Sequence, residues 1–98
     1  MRGDSLVVRI RKISARFDVA QNVMAKIADI DVGAYSRVLS GDRPANAEER
    51  ERLENALAFV TATAASTAPV VPNFRRWRLV APLLHQFQKD KQRRAAAA

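Results

Sequence analysis

The chain has 98 residues and a net charge of +7, with one histidine and no cysteine. That length holds one small domain with an extension, and the missing cysteines exclude a disulfide framework, a thiolate zinc site and a thiol nucleophile. No stretch reaches membrane-spanning length and no signal-type apolar run opens the chain, so a cytoplasmic protein is expected.

Residues 5–17, SLVVRIRKISARF, read as the first helix. Leu6, Ile10, Ile13 and Phe17 recur at helical spacing, and this longer period outweighs the strand preference of the opening valines. Arg9, Arg11, Lys12 and Arg16 lie around the rest of that helix.

Next come two short helices joined by a turn, residues 21–41. Asp18 and Gln21 have capping-box spacing for the first of them, with Ala20 as the competing cap position. Val23, Met24, Ile27 and Ala28 form its apolar face. Asp29 suits a left-handed turn residue, since Asp tolerates that conformation better than most. Ile30 should drop into the core, and Asp31 can cap the second helix. Tyr35, Val38 and Leu39 are the next apolar set, and Gly41 suits a left-handed helix end.

Beyond a loop at residues 41–45, Asn46 and Glu49 form a second capping-box pair. That helix passes through Leu53, Leu57 and Val60, with acids crowded into its start where the helix dipole favours them. Residues 61–73 turn to small residues and prolines, which predicts a fraying end and a linker over 67–73.

A last apolar and basic segment follows at 74–94. Its large groups recur at three or four, which is helical, while Pro82 predicts a kink or a break. Short strands at Val70–Val71 and Trp77–Val80 are a minor alternative. The final residues, from Lys89, are expected to fray.

Residues 21–41 resemble the helix-turn-helix of the Cro/XRE family, the fold of the lambdoid phage repressors. Gln21, Met24-Ala25, Asp29, Ile30, Asp31 and Gly41 fall in register without a gap, and Ser36-Arg37 matches a common pair. Ala28, Asp29 and Tyr35 depart from the pattern, and small Ala28 could offset large Tyr35 in volume. The resemblance spans roughly residues 6–60. It implies an all-α bundle of four to five helices over residues 1–66, with the C-terminal segment as an addition.

It also implies DNA binding, which the excess of cations at both ends of the chain favours. By register, Val32, Gly33 and Arg37 would face bases, with Ala34 and Ser36 nearby. Arg37 is the strongest reader, because a guanidinium bonds guanine O6 and N7 together; a phosphate contact or an ion pair with a nearby Asp is its alternative. Val32-Gly33-Ala34 offers only apolar contact, or a face turned to another use. Gln21, Asn22, Ser40 and Arg43 would grip phosphates, with Arg9, Arg11, Lys12 and Arg16 adding to them.

No catalytic set, metal-ligand cluster or phosphate loop emerges, so neither enzyme activity nor a cofactor is expected. His85 reads as a packing or surface residue. Phe74, Trp77, Val80, Leu83, Leu84 and Phe87 are too many large apolar groups for a bare tail. They are expected to form a dimer or partner interface, or else to close the core. If they form an interface, residues 1–68 should fold without them. The expected function is a sequence-specific, homodimeric transcriptional repressor of phage, plasmid or bacterial type. The alternatives are an antitoxin wrapping a toxin with this segment, or an adaptor that no longer reads DNA.

Overall fold

The computed structural model describes residues 4–66 and 73–97, and these are all helical apart from short turns. The order is α1 (Asp4–Phe17), α2 (Gln21–Ala28), α3 (Val32–Ser40), α4 (Ala47–Ser66) and α5 (Asn73–Ala97). No strand occurs among the described residues; Val70 and Val71, like most of the expected linker, lie outside them.

Helix α2 is the centre, packed against α3, α4 and α5, while α1 lies on α4. One core gathers Leu6 and Ile10 of α1, Met24 and Ile27 of α2, Tyr35 and Leu39 of α3, Leu53, Leu57 and Val60 of α4, and Trp77 and Leu84 of α5. Ala28 and Tyr35 are both fully packed in it, and Ile30 packs against it.

Three successive helices end in the same way. Asp18, Asp29 and Gly41 adopt φ of 56°, 59° and 87°. After each, the next amide reaches back five residues: Val19 to Ser14 O at 2.9 Å, Ile30 to Ala25 O at 3.0 Å, Asp42 to Arg37 O at 2.9 Å. This six-to-one bond is the Schellman closure, and it satisfies carbonyls that a helix end otherwise leaves bare.

The closure explains one departure from the sequence pattern. Asp18 is spent on ending α1 in the left-handed region, so it does not cap α2 in a box with Gln21. The cap position is Ala20, which has no side-chain bond to give. Helix α3 is capped as expected: Asp31 Oδ2 accepts from the amides of Gly33 at 3.0 Å and Ala34 at 3.2 Å. At α4 the amide of Glu49 donates to Asn46 Oδ1 at 2.8 Å, and the amide of Asn46 to Glu49 Oε1 at 3.1 Å.

The break that Pro82 could have made does not occur: helix α5 is continuous through it. Pro82 and Arg78, whose carbonyl loses its partner, are both exposed, so water can serve the orphaned oxygen. Nor does α5 fray from Lys89. Gln88 is fully buried and donates to Arg52 O at 2.8 Å, and Lys91 Nζ donates to Asn55 Oδ1 at 3.1 Å.

The expected interface stripe also divides. Trp77 (1% exposed) and Leu84 (5%) close the chain's own core, and Val80 packs half-buried against it. Trp77 Nε1 donates to Phe17 O at 2.6 Å, serving a carbonyl at the end of α1. Leu83 (62%) and Phe87 (57%) stay exposed, joined by Leu79 (69%), which was not among the expected residues. The side chain of Phe74 lies outside the described residues. The C-terminal helix and residues 4–66 therefore share one core.

Candidate nucleic-acid interface

Helix α3 turns Tyr35, Val38 and Leu39 inward, which leaves its other side to solvent. The outer side is the set expected to face bases. Val32 is 48% exposed, Ser36 and Arg37 are exposed, and Gly33 and Ala34 are half-exposed. All five lie on one short helix whose start is held by Asp31 and whose end is held by Gly41.

Gly33 has a local role. A Cβ added there would stand 3.0 Å from Asp31 Oδ2 and 3.7 Å from Arg37 Nη2. The guanidinium thus lies along the outside of α3, over the glycine. Arg37 has no ion-pair partner among the described residues, so the alternative of an Asp partner within 4.0 Å is not realised.

The expected phosphate contacts separate into two sets. Gln21 and Asn22 are exposed at the start of α2, where the alanine cap leaves the first amides without a side-chain acceptor. Such amides and the helix dipole favour an anion. Ser40 is exposed at the end of α3, its hydroxyl donating to Arg37 O at 3.1 Å. Lys12 and Arg16 are exposed on α1, with Arg16 stacked 5.4 Å from the Phe17 ring centre.

Three arginines are already engaged. Arg43 makes a two-pronged bond to Glu49 at 2.9 and 2.7 Å, and also donates to Pro44 O. Arg9 makes the same kind of bond to Glu54 at 3.0 and 2.7 Å. In both pairs the hydrogen-bonded guanidinium holds the glutamate below its ordinary range, and the glutamate raises the arginine. Arg11 Nη2 donates to Leu39 O at 2.7 Å, filling an orphan carbonyl at the end of α3. Arg9 and Arg43 thus lend much of their charge to α4, and Arg11 serves α3.

A polar network missed by the sequence pattern holds the turn between α2 and α3. Arg52 Nη1 donates to Asp29 O at 3.2 Å, and its other arm pairs with Glu48. Gln88 and Asn55 bond to each other at 3.2 Å beside it. From α5, His85 Nδ1 meets Lys26 O at 2.7 Å. Helices α4 and α5 thereby fix where α3 starts. Beneath α3, Tyr35 is 1% exposed, and burial pushes its hydroxyl up to about 12.

Comparisons with protein-family models, curated proteins and solved structures return no match to this chain. No described helix is long and apolar enough to cross a membrane.

Proposed function

We propose that the chain is a sequence-specific DNA-binding regulator acting in the cytoplasm, with α3 entering the major groove. The observation that carries this is the exposed side of α3, where Arg37, without an ion pair among the described residues, lies beside Val32, Gly33 and Ser36 on a helix clamped at both ends. A groove-reading helix needs that combination of bare side chains on a rigid support. Arg37 would bond a guanine edge, and Val32 would touch a thymine methyl. The bare amides of α2 with Gln21, Asn22 and Ser40 would position the backbone.

Regulators of this size commonly bind as pairs, with two recognition helices one helical turn of DNA apart. The outward face of α5, with Leu79, Leu83 and Phe87 exposed together, supports a homodimer. We assign the chain to a repressor of phage, plasmid or bacterial type by the resemblance of residues 21–41 to Cro/XRE proteins.

Selection of bound fragments from a random DNA pool tests this. A recurring short motif, bound with steep salt dependence, is expected. Absence of salt-sensitive DNA binding would point instead to an adaptor or an antitoxin.

A further inference from the structure

A cleft of about 510 Å³ opens between the start of α1, the end of α3 and the loop before α4. Its size lies in the range of ordinary small-ligand sites. Leu6, Val8 and Leu39 help form an apolar floor, and Arg11, Arg43 and Arg50 line it together with Ser40. Among the described residues that line it there is no carboxylate. Glu49 holds Arg43, so the available charge falls to the other two. Arg11 spends one nitrogen on Leu39 O and keeps the remaining donors of its fork. Arg50 is exposed and has no ion pair among the described residues.

We propose that this cleft binds a small amphiphilic anion: a carboxylate or similar monoanionic head held by Arg11 and Arg50, with a short apolar body on Leu6, Val8 and Leu39. The apolar floor alone would accept any hydrophobe, and the arginines alone any anion. Together they select a molecule with both parts. Val8, 46% exposed, presents apolar surface at the cleft. The cleft also contains Ser40 and Arg43, both expected to meet DNA phosphates, so a bound anion would compete with DNA. That consequence rests on the function proposed above; binding of the anion does not.

Decanoate is the probe, titrated into the isotope-labelled full chain and followed by amide NMR. Saturable shifts are expected at Leu6, Val8, Leu39, Gly41 and Ala45 at concentrations up to about 1 mM. Decanol, which lacks the charge, and inorganic phosphate, which lacks the tail, should each bind roughly tenfold more weakly or worse. Arg50→Gln should weaken decanoate by roughly fivefold or more, and Val8→Asp should abolish its shifts while leaving the folded spectrum intact. Shifts that never saturate, shifts spread over the whole chain, equal binding of decanol, or an Arg50→Gln chain that binds unchanged would each overturn the assignment. A DNA competition run in parallel reads the second claim separately.

Discussion

His85 of α5 sets Nδ1 2.7 Å from the carbonyl oxygen of Lys26 and 3.8 Å from the carboxylate of Asp29, so the last helix touches the turn that precedes α3. Arg52 of α4 holds the same turn through Asp29 O. The helix that carries the candidate base readers is thus positioned by residues far along the chain.

Gln88 is the keystone of that network. It is fully buried, donates to Arg52 O and accepts from Asn55. Gln88→Ala leaves those partners unsatisfied and opens space in the core. A loss of about 2–3 kcal/mol is expected in urea unfolding. A loss below about 0.5 kcal/mol would show that water replaces the amide without cost.

Deleting residues 69–98 should unfold the chain. The deletion strips Trp77, Ala81 and Leu84 from the core and leaves Phe17 O without its indole donor. Each large apolar group is worth about 1.5–3 kcal/mol of burial, against a whole-domain stability of about 5–15 kcal/mol. Circular dichroism should show the helical signal collapse. A truncated chain that melts cooperatively would show that residues 1–68 fold alone.

Much of the first four helices was legible in short-range chemistry. Asp29, Asp31 and Gly41, and the Asn46–Glu49 pair, do what their side chains and spacing dictate, because capping depends on neighbours within five residues. What was not legible depends on distant partners. Gln88 looks like surface until α4 is beside it, and Pro82 can be read as a break until it is found on the exposed side of a continuous helix. Arg43 and Arg9 looked like free cations, and only the approach of α4 shows that Glu49 and Glu54 hold them. Which of the two expected roles Trp77 takes, and that Leu79 is left outside, depends on the packing of α5 against α2.

The glutamate pairs give a pH dependence with a definite sign. Glu49 and Glu54 are held below their ordinary value of 4.5, by Arg43 and Arg9 respectively. A depressed carboxylate stabilises the fold above its unfolded value and loses that contribution as pH falls through the folded one. Stability should therefore be level near neutrality and fall below pH 4.5. Glu49→Gln should flatten that fall in urea midpoints measured across the acid range. An identical slope in the variant would remove Glu49 as a source.

Asp29 holds a left-handed conformation that glycine adopts at no steric cost. Asp29→Gly should relieve about 1 kcal/mol of backbone strain, less whatever the carboxylate gains beside His85. A small rise in melting temperature is expected. A clear fall would show that the contact with His85 outweighs the strain.

The base-reading role of α3 is tested most directly by Arg37→Ala, compared with the wild type for binding to a selected site and to scrambled DNA. Arg37 is exposed and free of ion pairs among the described residues, so its removal should spare the fold. Affinity for the selected site should fall by about 1–3 kcal/mol, with relaxed preference at one base pair and little change on scrambled DNA. Equal affinity for the selected site, or an equal loss on both DNAs, would contradict base reading by α3.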